Sequence, residues 1–244
     1  MQKIGASLQH VLHHAIERVL QHALDGIFPP RCVNCQKSGA ILCPSCLATI
    51  HPIPSPFCTR CQFPLASGSI CQYCTRTPPA FYGLRVVSRY EGMIRACIHK
   101  LKYEGQIRLA EPLGLLLAQA YIFYDLRADV IVPVPLHAER LRQRGYNQSQ
   151  LLAEECARHI RAPVIAALLV KTRATPAQVG LSSQERILNV AGSFAASAPL
   201  HGQRIVLVDD VCTTGATLNA CAEALRLAGA GEIWGLTLAR PYPT

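Results

Sequence analysis

The sequence predicts an α/β protein: a mainly parallel sheet covered on both faces, preceded by a small cysteine-rich metal-binding module. Two patterns predict it. From residue 81 onward, short apolar, β-branched runs alternate with segments of helical periodicity, and the runs are apolar throughout, as strands buried on both faces are. Ahead of them, eight of the twelve cysteines fall into four Cys-x-x-Cys pairs within residues 32–74. A chain of 244 residues, half of them apolar, is long enough for one ordinary core plus a smaller module and too short for three independent domains. The expected boundaries are 1–27 for an N-terminal helix, 28–79 for the cysteine-rich module and 80–244 for the α/β domain.

In residues 6–24, Leu8, Val11, Leu12, Ala15, Ile16, Val19, Leu20, Ala23 and Leu24 recur at helical spacing, which predicts an amphipathic helix. His10, His13, His14 and His22 lie in the same segment. They read as the solvated face of a docking helix, because the His10/His14 pair has no cysteine or carboxylate beside it to complete a metal site. Pro29 and Pro30 end the helix and open the module, which closes around Pro78 and Pro79.

The four pairs are Cys32/Cys35, Cys43/Cys46, Cys58/Cys61 and Cys71/Cys74. Two thiolates of one pair converge on an ion, and two pairs complete the closed tetrahedral shell of structural zinc. Seven residues separate the first two pairs and nine the last two. Both lengths suit a short hairpin, so sequential pairing and two zinc ions are expected; sharing between the first and third pairs is the alternative. A closed four-cysteine shell leaves no position for substrate, so the chemistry is expected elsewhere. Arg31, Lys37, Arg60 and Arg76 would suit a nucleic acid if the module bound one. Cys97, Cys156, Cys212 and Cys221 are scattered and read as small buried apolar residues.

In the α/β domain, residues 130–134 form an apolar β-branched run, followed by a basic loop and a helical segment over 148–160. A second apolar run covers 163–170. A third, 204–208, leads into a glycine-containing turn and a helix with Leu218, Cys221, Leu225 and Ala228 on one face, and 233–238 closes the pattern. Asp209 and Asp210 stand directly after the third run, where open α/β sheets bind ligands. The turn Thr213, Thr214, Gly215, Ala216, Thr217 feeds a helix N-terminus whose unpaired N–H groups, dipole and threonine hydroxyls would cradle a phosphate. Carboxylates beside that cradle would accept protons from a vicinal diol.

The formal charge of +9, from 24 Lys and Arg against 15 Asp and Glu, predicts a surface that attracts anions without choosing among nucleotides, pyrophosphate and nucleic acid. No stretch approaches the roughly 18 uninterrupted apolar residues of a membrane helix, so no membrane insertion and a cytoplasmic location are expected. Aromatic residues make up only 6% of the chain, which argues against an extended base-stacking platform.

The buried run, the acidic pair and the Thr-Thr-Gly-x-Thr turn resemble the signature by which type I phosphoribosyltransferases bind 5-phosphoribosyl-1-pyrophosphate (PRPP). That resemblance implies that Asp209 and Asp210 hold the ribose hydroxyls, that Thr213, Thr214, Gly215, Ala216 and Thr217 hold the 5-phosphate, and that magnesium accompanies the ligand. With the four cysteine pairs, the run Val132, Pro133, Val134, Pro135, Leu136 followed by Arg140, Arg142, Arg144, Gly145, Tyr146, Asn147 and Gln148, and the stretches 175–178 and 186–189, the chain resembles the ComF family of competence-associated, phosphoribosyltransferase-like proteins with a double zinc ribbon. Arg140 and Arg144 are then candidates for the pyrophosphate, sharing one side with Arg142 if the stretch is extended and diverging as a solvated basic face if it is helical. Residues 171–189 resemble a loop that closes over such a site, with Gln178, Arg186 and Asn189 as candidates and Arg186 as a catalytic one. Residues 99–103 also resemble a ComF segment, in which Lys102 either joins the site or lies on an exposed helix face. The family resemblance implies two functions: phosphoribosyl transfer to a nitrogenous acceptor, or a non-enzymatic role in DNA uptake and natural transformation, with single-stranded DNA and a competence helicase as partners.

Overall fold

The structure, a computed structural model, describes residues 29–174 and 183–242. The helix expected over 1–27, and Gln178, lie outside the described residues. The chain divides into two compact units, Met1–Ala48 and Thr49–Thr244, so the first two cysteine pairs belong to one unit and the last two to the other. In the first unit, a single antiparallel bridge between Arg31 and Ser38 and a helical turn at Pro44–Leu47 frame the cysteines.

The second unit is built on four parallel strands. β1 (Gly83–Arg89) pairs with β6 (Ile233–Arg240), β6 with β5 (Ile205–Val211), and β5 with β2 (Val130–Pro133). The order β1-β6-β5-β2 puts β5 and β6 in the interior, and their near-continuous burial explains why their sequences are apolar without alternation. Alternate residues nevertheless serve different faces. Ile205 and Leu207 join Leu218, Cys221 and Leu225 of α6 (Ala216–Leu227) in one cluster. Val206 and Val208 point the other way, where α2 (Ala110–Phe123) and α4 (Gln148–His159) cover the sheet. α1 (Gly92–Tyr103) follows β1, and α3 (Ala138–Arg144) follows β2. A small antiparallel pair, β3 (Leu169–Lys171) with β4 (Phe194–Ala196), and α5 (Ser183–Val190) complete the unit.

Three details depart from the sequence reading. The run at 163–170 is no sheet strand: Val164 makes one parallel bridge to Ile131, then Ala166–Leu168 tightens into a 3₁₀ turn before β3. The acidic pair does not follow β5 but belongs to it, with Asp209 opposite Thr237 of β6. The Arg140, Arg142, Arg144 stretch is helical, so Arg142 diverges from Arg140 and Arg144, which are four apart on the helix; Arg140 and Arg142 are exposed, while Arg144 bonds Gln148 and lies 5.6 Å from the Tyr103 ring. The scattered Cys97, Cys156, Cys212 and Cys221 are all buried. No described helix is long and apolar enough to cross a membrane.

α2 and α4 approach closely at Gly114, where an added Cβ would stand 2.4 Å from Glu155 Cβ and 3.0 Å from the Cys156 backbone nitrogen. Glycine costs a helix about 1 kcal/mol relative to alanine, so the close approach outweighs propensity here. Gly114→Val is expected to destabilise the protein by about 1–3 kcal/mol in urea unfolding, the usual range for overpacking.

Candidate functional site

The cysteines gather into two clusters, Cys32, Cys35, Cys43, Cys46 and Cys58, Cys61, Cys71, Cys74, the sulfurs of each lying within 4.8 Å of one another. This is sequential pairing, not the crossed alternative. Tetrahedral zinc with sulfurs at ~2.3 Å sets neighbouring sulfurs about 3.8 Å apart; the Cys35–Cys43 and Cys61–Cys71 contacts are 3.5 and 3.7 Å. Backbone amides of Cys43 and Cys71 point at the sulfurs of Cys32 and Cys58, at 3.5 and 3.3 Å, and so favour thiolate charge. Both donor sets fit structural zinc.

The second cluster is welded to the sheet. Gln62, fully buried and at φ 55°, accepts the Val86 amide on its side-chain oxygen at 2.5 Å and donates to the Tyr124 hydroxyl at 2.8 Å. Its own carbonyl accepts from the Tyr242 hydroxyl at 3.0 Å. The Leu84 amide bonds Arg60 O, and Arg240, at the end of β6, donates to Cys61 O at 2.5 Å.

At the carboxyl ends of the strands, Asp209 and Asp210 point to opposite faces of β5. Asp210, almost fully buried, meets Lys102 Nζ of α1 at 2.7 Å. Its other oxygen is buried without a hydrogen-bond partner among the described residues. Asp209 accepts the Ser149 hydroxyl at 2.8 Å and the Asp210 amide at 2.9 Å. Burial, reinforced by the neighbouring Asp210 charge, pushes the Asp209 carboxyl up to about 7 against the pull of Lys102 and these two bonds. Burial alone would lower Lys102, but the charges of Asp210 and Asp209 outweigh it and leave the ammonium raised. Lys171 of β3 is lowered, first by burial and then by the Arg140 guanidinium, with Asp209 opposing.

Gly215 caps α6 at φ 84°, a left-handed conformation that glycine adopts without strain, and brings the first turn of the helix to the end of β5. Thr213, Thr214 and Thr217 are partly exposed around this turn, and the Thr214 hydroxyl accepts the Ala216 amide at 3.3 Å. The turn, the acids, Lys102 and Ser149 thus meet at one end of the sheet. Lys102 belongs there and not on an exposed face. Arg186 and Asn189 lie in α5; the Asn189 carbonyl accepts from Arg173 at 3.4 Å, and the Arg186 side chain lies outside the described residues. Ser149 and Lys171 were not legible as site residues. Ser149 is held by the Asn147 cap at the start of α4, sixty positions from the acid it serves, and nothing local signals that contact.

Residues 23–75 match the double zinc ribbon domain family, and residues 147–240 match the phosphoribosyl transferase domain family. Over 226 residues the chain is 31% identical to competence protein F of Haemophilus influenzae, a match covering 86% of this chain and 97% of that protein. The chain belongs to the ComF family. Other relatives are the DNA utilization protein YhgH of Salmonella typhimurium, 31% identical over 85% of this chain and 96% of that one, and competence protein ComFC of Bacillus subtilis, 28% identical over 82% and 84%. The ComF chain therefore joins a double zinc ribbon to a type I phosphoribosyltransferase-like fold, and its acidic pair and the turn at Gly215 fall inside the second match.

The raised Asp209 carboxyl carries a sign for stability. Between its unfolded value of 3.8 and about 7, the folded protein keeps a proton that the unfolded chain has lost. Stability from this group is complete below about 4 and is lost as pH rises through about 7. Asp209→Asn is expected to flatten that decline, as read from urea midpoints at pH 5, 6, 7 and 8.

Proposed function

We propose that this ComF-family chain binds PRPP with magnesium and transfers its phosphoribosyl group to a nitrogenous acceptor. One observation carries the reading: two buried carboxylates, one with an oxygen that has no hydrogen-bond partner among the described residues, stand near the end of a central strand, separated by four residues from a glycine-capped helix N-terminus. A phosphate fits the amides of Thr213, Thr214, Gly215, Ala216 and Thr217, and the ribose diol donates to Asp209 and Asp210. Lys102 and Lys171 supply positive charge near the acids. Arg140 and Arg144 are the proposed pyrophosphate contacts, and Arg186 a third catalytic residue. Magnesium, when bound with the ligand, supplies charge neutralisation between pyrophosphate and ribose oxygens.

In the transfer, a lone pair on the acceptor nitrogen forms the bond to ribose C1 while the C1–oxygen bond breaks. Pyrophosphate leaves with that electron pair, and the acceptor nitrogen releases its proton. The residues of the chain contribute orientation and electrostatic stabilisation, not a covalent intermediate. Calorimetric titration of the zinc-loaded protein with PRPP and magnesium tests the binding step. Micromolar affinity that disappears in Asp209→Asn, Asp210→Asn is expected; absence of binding to the parent protein overturns the reading.

A second reading rests on a different surface. Arg60, Tyr82, Trp234, Arg85 and Tyr124 form a continuous chain of contacts: Arg60 lies 6.0 Å from the Tyr82 ring, Tyr82 5.1 Å from Trp234, and Arg85 4.6 Å from Trp234 and 5.1 Å from Tyr124. Guanidinium groups beside aromatic rings suit the backbone and bases of single-stranded DNA. The names of the relatives, competence and DNA utilization, agree with such a role, in which a helicase partner would share the strand. Tyr82, 57% exposed, is the most accessible of the five. Tyr82→Ser is expected to weaken binding of a labelled oligothymidine about 10-fold in anisotropy titrations, within the ~1–3 kcal/mol of a base stack; unchanged affinity removes this surface from consideration.

A further inference from the structure

The two carboxylate oxygens of Asp209 stand in different surroundings. Oδ1 accepts the Ser149 hydroxyl at 2.8 Å and the Asp210 backbone amide at 2.9 Å, which together take up both of its lone pairs. Both bonds from described residues fall on Oδ1 and none on Oδ2. A carboxyl proton, or a hydroxyl donated by a ligand, is therefore left with Oδ2.

Ser149 is itself held in place. It is fully buried at the second position of α4, where the other inward residues, Leu152, Ala153 and Cys156, are apolar. Asn147, not Ser149, caps this helix: its side-chain oxygen accepts the Ser149 amide at 3.0 Å, and its side-chain amide donates to Val134 O, just past β2, at 3.0 Å. The Ser149 hydroxyl is thus not spent on the helix end. Gln148, also buried, brings its side-chain amide to 3.5 Å from Ser149 Oγ, the long end of hydrogen bonding, and its oxygen accepts from Arg144. A donor on Oγ leaves the hydroxyl proton for Asp209. One chain of bonds therefore joins an arginine proposed for pyrophosphate to a carboxylate proposed for ribose.

We infer that Ser149 is a positioning residue: it holds Oδ1 of Asp209 so that Oδ2 is presented to the ligand, where a carboxyl proton and a ribose hydroxyl compete for the same oxygen. The inference rests on the phosphoribosyl reading of the acidic pair and deepens it. When ligand binds to the protonated carboxyl, the proton on Oδ2 passes to solvent and the ribose hydroxyl donates to the oxygen it has left. Besides Ser149, the groups acting on Asp209 are Asp210 on its own strand, Lys102 on α1, Lys171 on β3, Cys212 just after β5 and Cys221 on α6, with Arg140 of α3 acting on Lys171. Burial raises both thiols, which stay uncharged, so the lysines favour the carboxylate and Asp210 opposes it. The Ser149 bond works with the lysines, because a donor to the charged form stabilises it. Its removal raises Asp209 further.

Calorimetric titration of the zinc-loaded chain with PRPP and magnesium at pH 6, 7, 8 and 9, in two buffers of different ionisation enthalpy, tests this. Parent affinity is expected to fall as pH drops below about 7, with proton release on binding there. The ligand's own phosphates titrate alike for every variant, so the comparison between variants isolates the carboxyl. Ser149→Ala is expected to bind about 5-fold more weakly than the parent at pH 6 and to approach it by pH 9, whereas Ser149→Thr, which keeps the hydroxyl, follows the parent. Should Ser149→Ala lose its cooperative urea transition, Ser149→Cys, a weak donor of similar volume, is read in its place. A variant whose affinity runs parallel to the parent at all four pH values, unchanged or uniformly weakened, overturns the inference even where PRPP binds. Failure of the parent to bind PRPP at every pH overturns the phosphoribosyl reading, and this inference with it.

Discussion

Parallel pairing of β5 with a strand on each side is the constraint from which the rest of the second unit follows. A strand hydrogen-bonded on both edges and packed on both faces must be apolar along its length, and Ile205, Val206, Leu207 and Val208 are buried accordingly. Parallel neighbours also require crossover segments, which supply the helices covering the two faces. Where the strand emerges, its last side chains still point to opposite faces. Asp209 and Asp210 therefore leave β5 in different directions and reach different partners, Ser149 of α4 and Lys102 of α1.

Those partners define the electrostatics. Two adjacent carboxylates, each nine-tenths buried or more, cannot both ionise cheaply, and the structure answers with Lys102 on Asp210 and with hydrogen bonds on Asp209. The compensation is partial. Asp209 remains raised, and one oxygen of Asp210 has no partner among the described residues. A site with incomplete internal satisfaction is one that a ligand with hydroxyl donors and associated cations can complete.

The second cysteine cluster acts on the same site from the side. Gln62, Arg60 and Cys61 engage β1, α2, β6 and the C-terminal Tyr242 through backbone and side-chain bonds, so this knuckle is continuous with the sheet's edge. It covers β1, whose outer edge would otherwise offer unpaired amides. The Arg240 guanidinium links the end of β6 to the carbonyl of a metal-binding cysteine. Loss of a metal ion from this cluster would thus be felt at the cleft that Arg240 and Gly215 line.

The sequence by itself determined the α/β class, the eight cysteine ligands and the segment 209–217, because each depends on local order: uniform apolarity, ligand spacing, and an acidic pair followed by a glycine turn. It left β1, α1 and α2 undelineated. Arg85, Ser88 and Arg89 interrupt the apolar run of an edge strand, and Pro112 and Gly114 interrupt the helical pattern of α2. Sequential cysteine pairing, expected from the short spacers, holds in the structure, whereas the meeting of Lys102 and Ser149 with the acids was decided only in the tertiary structure. Those contacts join residues about sixty to over a hundred positions apart, and no periodicity or spacing within one segment encodes which distant side chain will face it once the sheet closes.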